Sequence, residues 1–128
     1  MIFDGSAIYK LVHAGKAKAL AGGTTLDLAA YELGNAVRKA VASKSIDQSQ
    51  GLKLINFLEE VLGKIETVSA AAHLDEVLDL AVKTRLPFYD AAYLHASLKR
   101  NKPLVTEDNV LYNAAKQFIT VRKPEELT

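Results

Sequence analysis

The chain has 128 residues, 49% of them apolar, which is one domain's worth of sequence and enough to bury one core rather than two. Sixteen Lys and Arg nearly cancel fifteen Asp and Glu, which excludes the broad basic footprint of a dedicated nucleic-acid binder; a phosphate-rich ligand would need local positive charge or a bound cation. The absence of cysteine removes disulfides, zinc–thiolate sites and thiol catalysis together, and is compatible with a reducing compartment.

The N-terminal residues MIFDGSAIYKLV carry an acid at position 4 and no basic stretch before an apolar run, so they do not read as a signal peptide. No apolar stretch approaches the roughly 18 residues of a membrane span, and a soluble, cytoplasmic protein with no membrane partner is expected. Met1 to Phe3 reads as a short buried strand, ended by Asp4-Gly5-Ser6 and followed by a short helix from Ala7 to about Ala14. Gly22-Gly23 breaks the pattern, and Thr24-Thr25-Leu26 reads as a second strand or extended approach. Asp27 is a candidate N-cap for a helix from about Leu28 to Ser43, whose apolar stripe is Leu33, Ala36, Val37, Ala40 and Val41.

Asp47 is a cap for the next helix, about Gln48 to Gly63, with Leu54, Ile55, Leu58, Val61 and Leu62 on one face. Ile65 to Ser69 reads as a strand, and Leu74, Val77, Leu78 and Ala81 mark a helix ending near Thr84. Pro87 interrupts. A helix then begins near Phe88 and closes on Lys99, Arg100 and Asn101, an ending suited to the helix dipole and to a left-handed final residue. Pro103 to Thr106 reads as a strand, Asn109 to Lys116 as a helix, Phe118 to Val121 as a last strand, and Lys123 to Thr128 as a polar tail. No repeat or linker divides the chain, so residues 1–128 are expected to form one domain. Short apolar strands separated by helices predict an α/β fold, with a mainly parallel central sheet covered on both faces in three layers, α/β/α.

Four acids stand out by position, three of them at or near the sheet edge where such folds place their sites and the fourth on an apolar helix. Asp4 ends the first strand and Asp108 lies two residues past Thr106, so both sit at one edge of a parallel sheet. Asp90 is in the first turn of its helix, and Glu32 lies within a largely apolar helix beside Leu33. Taken singly, Asp4 and Asp108 read as turn or cap residues, Asp90 as a complement to the helix dipole and Glu32 as a helix-flank residue. Together they are a cluster of like charges that raise one another's pKa or recruit a counter-ion. An all-oxygen set suits Mg²⁺ or Mn²⁺ rather than Zn²⁺. His13, His73 and His95 are isolated and have no partner at metal-ligand spacing. Neither a G-x-S-x-G nucleophile elbow nor a Gly-rich phosphate loop is present.

The segments Ile2-Phe3-Asp4-Gly5-Ser6-Ala7-Ile8, Tyr31-Glu32-Leu33-Gly34-Asn35-Ala36, Tyr89-Asp90-Ala91-Ala92-Tyr93-Leu94 and Leu104-Val105-Thr106-Glu107-Asp108-Asn109-Val110-Leu111 resemble, in this order, the PIN-domain ribonucleases. They are most similar to the VapC-type toxins of prokaryotic toxin–antitoxin pairs. The resemblance spans essentially the whole chain. It implies a PIN-like fold and a Mg²⁺- or Mn²⁺-dependent endoribonuclease in which Asp4, Glu32, Asp90 and Asp108 are catalytic and metal-binding. Asp4 and Asp90 rank as the firmest ligands, Glu32 next, and Asp108 as the one most easily explained as a cap. Thr106 and Asn35 match supporting positions. Gly5 stands where the family usually has Ala, Ser or Thr, and reads as a loosening of the turn beside the site. Lys10, Arg38 and Lys39 come from the neighbouring elements and are candidate RNA contacts. The resemblance also implies a homodimer and a VapB-like antitoxin partner. A PIN-fold RNA-binding or RNA-processing protein without a toxin role is the alternative. A phospho-accepting receiver fits poorly, since it wants paired acids after the first strand and a late Lys at a strand end.

Overall fold

The structure is a computed structural model that describes residues 1–127. Its strands are β1 (Ile2–Phe3), β2 (Thr24–Leu26), β3 (Glu66–Val68), β4 (Leu104–Val105) and β5 (Val121–Arg122). Its helices are α1 (Gly5–His13), α2 (Ala29–Ala42), α3 (Gln48–Leu62), α4 (Leu74–Thr84), α5 (Phe88–Arg100) and α6 (Asn109–Ala115). The strands form one sheet in the order β3-β2-β1-β4-β5, with every pairing parallel. The expected three-layer α/β/α architecture is therefore the one observed.

Alternation along these very short strands builds two cores. Ile2, Leu26 and Leu104 point to one face, where they pack with Val77, Tyr93, Leu94 and Leu111 from α4, α5 and α6. Phe3 and Val105 point to the other, where they meet Ile8, Leu11, Leu33, Leu58 and Val61 from α1, α2 and α3. Successive strand residues face opposite ways, so a strand of two residues suffices to tie both helical layers to the sheet.

The chain begins in the middle of the sheet, steps outward through β2 to β3, then returns to lay β4 on the other side of β1. That reversal is the topological switch point, and open parallel sheets leave a crevice outside the C-terminal ends of the two strands there. Asp4 follows β1, and Thr106 follows β4.

Several local expectations change. The first helix starts at Gly5, because Asp4 itself is its cap: the Asp4 carboxylate accepts the Ala7 N–H at 2.8 Å. Asp27 does not cap α2. Its side chain instead accepts the Ala70 N–H at 2.9 Å, pinning the loop after β3, and Leu28 occupies the cap position. A 3₁₀ turn at Ala17–Leu20 precedes β2. β5 lies at Val121–Arg122, with Phe118 outside it. The polar tail is a second 3₁₀ turn, Pro124–Glu126, with Pro124 buried and Leu127 packed against the α1–α2–α3 core. The ends of α3 and α5 are as expected: Asp47 and Gln50 form a reciprocal capping box, and Asn101 ends α5 at φ 51°.

Candidate active site

Asp4 is 4% exposed, and both of its carboxylate oxygens accept hydrogen bonds. One accepts the Ala7 N–H and the Ser6 hydroxyl (2.7 Å); the other accepts the Thr106 hydroxyl at 2.5 Å. Thr106 is buried, and its oxygen also takes the Asp108 N–H at 3.0 Å. Ser6 Oγ accepts the Glu107 N–H at 3.0 Å. The ends of β1 and β4 are thus sewn together by two hydroxyls around one carboxylate. Burial raises the pKa of Asp4, these hydrogen bonds oppose the rise, and the Asp108 charge adds to it.

Glu32 comes from the opposite helical layer to Tyr93, yet its Oε1 accepts the Tyr93 hydroxyl at 2.6 Å across the sheet edge. Burial raises its pKa, the Tyr93 hydrogen bond lowers it, and the Asp4 charge raises it again. A Cβ on Gly5 would lie 2.7 Å from the Glu32 Cβ and 2.9 Å from its Oε1. Gly5 therefore does not loosen the turn. It is the first residue of α1, and its lack of a side chain lets α2 bring Glu32 against that first turn.

Asp90, in the first turn of α5, is raised to about 7 by burial, then by the charges of Asp108, Asp4 and Glu32, and no hydrogen bond offsets these effects. The four acids singled out in the sequence therefore share one electrostatic environment. Asp108 is also a helix cap, accepting the Leu111 N–H at 2.9 Å. Cap and site member are compatible here, for Asp108 as for Asp4.

As they stand, the carboxylates of Asp4, Glu32 and Asp108 accept hydrogen bonds from protein donors, and among the described residues no three acids or histidines converge into a ready metal cage. The donor set nonetheless fits a hard divalent ion. It is all oxygen, three of its members have raised pKa values that a cation would relieve, and Mg²⁺ uses one or two carboxylates and keeps several waters. Glu107 adds a buried Oε2 with no hydrogen-bond partner among the described residues.

A groove of about 840 Å³ opens beside Glu32 between α1 and α2. Lys10, Lys39 and Asn35 line it, and Arg38 does not: it bonds the Asn35 amide oxygen at 3.0 Å and faces a different groove between α2 and α3. Asn35 accordingly lies near the acids without a bond to any of them. Sequence reasoning missed Ser6, Tyr93 and Glu107. Ser6 and Glu107 sit beside singled-out acids, whereas nothing local in Y-D-A-A-Y reveals that Tyr93 reaches an acid 61 residues away.

No protein-family model matches the chain. Exonuclease VapC9 from Pyrobaculum aerophilum is 34% identical over 96 residues, covering 75% of this chain and 69% of the relative. Ribonuclease VapC3 from the same organism is 30% identical over 96 residues, covering 75% and 73%. The crystal structure of PAE2754, also from Pyrobaculum aerophilum, aligns over 98% of this chain and 83% of that one, with a TM-score of 0.81 and 29% identity. The crystal structure of VapBC2 from Rickettsia felis bound to a DNA fragment from their promoter aligns over 96% and 98%. Its TM-score of 0.63 at 15% identity is a likeness of fold.

Proposed function

The chain belongs to the VapC family of PIN-domain proteins, and from that premise we propose that it is a divalent-metal-dependent endoribonuclease acting as the toxin of a toxin–antitoxin pair. The observation that carries this reading is the gathering of Asp4, Glu32, Asp90 and Asp108 at the switch point of the parallel sheet, where burial first and the neighbouring charges second raise the pKa of Asp4, Glu32 and Asp90. Such an arrangement is costly without a counter-ion, and RNA hydrolysis is a reaction that a cation held there would serve.

Asp4 and Asp90 are the proposed principal ligands of a Mg²⁺ or Mn²⁺ ion, with Glu32 and Asp108 completing the set directly or through water. When bound, the ion supplies positive charge for the scissile phosphate and acidity for an attacking water. Thr106 and Ser6 fix the orientation of Asp4, and Tyr93 fixes that of Glu32. Burial and the neighbouring carboxylates raise Asp90 to about 7, and a cation held there would favour its ionised form. Residues 1–128 would act as one nuclease unit.

Asp4→Asn is expected to reduce RNA cleavage to background with either Mg²⁺ or Mn²⁺, while thermal unfolding shows an intact fold. Cleavage at the wild-type rate by that variant would refute the assignment. A VapB-like antitoxin and cytoplasmic action follow from the family role. A homodimer is supported by Leu74, Leu78 and Val82, which leave an apolar stripe exposed along α4 at intervals of one helical turn. A monomer in sedimentation at micromolar concentration would remove the dimer from this reading.

A further inference from the structure

One peptide group joins Glu107 to Asp108 in the turn between β4 and α6, and both of its polar atoms are engaged. The Asp108 N–H donates to Thr106 Oγ1 at 3.0 Å, and the Glu107 carbonyl accepts the Lys123 ammonium at 3.2 Å. A trans peptide is planar, with its N–H and C=O directed oppositely, so a bond at the carbonyl sets where the N–H aims. The Thr106 oxygen that receives this N–H gives its own hydrogen to Asp4. Of the hydrogen bonds that oppose the rise in the Asp4 pKa, the one from Thr106 has the largest effect. A single backbone unit thus stands between Lys123 and two of the acids.

Lys123 is itself firmly placed. Its ammonium also donates to the Asn109 amide oxygen and lies 4.9 Å from the centre of the Tyr112 ring, so its three N–H groups meet three partners from one turn and the helix after it. It takes the Glu107 carbonyl rather than a carboxylate, and it is in no ion pair among the described residues. Its own N–H donates to Glu126 Oε2 at 3.3 Å, Pro124 beside it is buried, and Leu127 packs against the α1–α2–α3 core. Lys123 is also not among the charges that shift Asp4 or Asp90. Its influence on the acids runs through the backbone.

We propose that Lys123 is a positioning residue for the acid edge: by holding the Glu107–Asp108 peptide it orients the Thr106 hydroxyl on Asp4 and fixes the start of α6 that carries Asp108. Its effect on cleavage rests on the nuclease reading of those acids, whereas the tie to the peptide does not. Without the ammonium the peptide is free to turn, the Asp108 N–H leaves Thr106, and Asp4 keeps a hydroxyl whose direction is no longer set. Removing an outer contact of this kind costs about 10- to 100-fold in metal affinity or activity.

The chain has no cysteine, so Lys123→Cys offers one thiol for a rescue experiment. Its thiolate displaces bromide from 2-bromoethylamine to form a C–S bond, which restores a side chain of lysine's length ending in an ammonium. With 1-bromopropane the same displacement gives that length without the amine. The first readout is backbone amide exchange by NMR in EDTA, without RNA. The Asp108 amide should exchange about tenfold faster in the propyl form than in wild type, and the aminoethyl form should match wild type. The second is the Mn²⁺ concentration at the midpoint of the Tm rise, with kcat and KM for RNA cleavage alongside. In the propyl form the midpoint should rise and kcat fall about 10- to 100-fold, with KM within about twofold, and aminoethylation should restore both. Lys116→Cys, at a lysine 5.8 Å from the same Tyr112 ring, should stay at wild-type values through both alkylations. In a protein that cleaves RNA, propyl and aminoethyl forms with equal kcat and equal Mn²⁺ midpoint overturn the proposal whatever their Tm in EDTA, and the nuclease stands. Equal Asp108 exchange in the two forms overturns it as well. If wild type neither cleaves RNA nor responds to Mn²⁺ while Asp108 exchange follows the amine, the tie stands and the nuclease reading fails.

Discussion

At Asp90, burial and three neighbouring carboxylates act in the same direction, and the consequence is a dependence of stability on pH. The group titrates near its ordinary 3.8 in the unfolded chain and at about 7 in the folded one. Below about pH 4 both states hold the proton and its contribution is fully present. Between those values the unfolded chain has released a proton that the folded one keeps, so stability falls as pH rises, and the contribution is gone above about pH 7. Asp90→Asn lacks this dependence. In EDTA, wild type should therefore lose stability relative to Asp90→Asn between about pH 4 and pH 8. The loss should be on the order of 1–2 kcal/mol once solvent screening of a partly exposed group is allowed for. Parallel urea-denaturation curves for the two proteins across that range would show that neither burial nor the neighbouring acids raise Asp90. All four acids were legible in the sequence because each sits at a strand end or on an apolar helix. Their hydrogen-bond partners were not, because Thr106 reaches Asp4 across 102 positions and Tyr93 reaches Glu32 across 61.

Between elements, the Tyr93 hydroxyl is a tie from the α4–α5–α6 layer to the α1–α2–α3 layer at the edge where the acids gather. Its burial and the Glu32 charge push its own pKa up, so it remains a donor at every physiological pH. Tyr93→Phe keeps the ring in its core and removes one hydrogen bond to an anion. Such bonds contribute about 1.5–3 kcal/mol; the expected loss of stability lies at the lower end, because Glu32 is only partly buried and can take a water in place of the hydroxyl. Cleavage should fall about tenfold, mainly in kcat, since Glu32 loses orientation rather than substrate contact. A variant with unchanged kcat would show that Tyr93 serves packing alone. Element order and type were readable because most helices carry an apolar stripe with the helical period, the two central strands are short apolar pairs, Ile2–Phe3 and Leu104–Val105, and the outer strands are bounded by glycines or helices. The misreadings share a cause. Asp27 looks like a cap beside a helix start, but its carboxylate is claimed by Ala70 from a loop 43 residues later. The tail looks solvated because it is polar, yet Pro124 and Leu127 bury against the fold, and Lys123 donates to the Glu107 carbonyl at 3.2 Å. In both, a distant contact outweighs a local preference.

For the whole molecule, the sheet joins two cores through strands of two or three residues, so the carboxylates at its edge act on the stability of the entire fold. Asp4 closes β1 to β4, Glu32 and Tyr93 close one helical layer to the other, and Asp108 starts α6. A cation that binds the folded edge and not the unfolded chain stabilises it by mass action, about 2.7 kcal/mol at a hundred times Kd. For a chain of this size that is roughly a 10 °C rise in Tm. The rise should be largest near pH 7.5, where Asp90 is mostly ionised, and smaller near pH 5, where a proton occupies it. Asp4→Asn combined with Asp90→Asn should abolish it at both. Calorimetric scans in EDTA, Mg²⁺ and Mn²⁺ measure this without any nuclease substrate. A Tm indifferent to both ions at pH 7.5 would mean that the acids do not form a divalent site. Their charges would then be relieved by a proton on Asp90 and by the hydrogen bonds of Thr106 and Tyr93 rather than by a divalent ion.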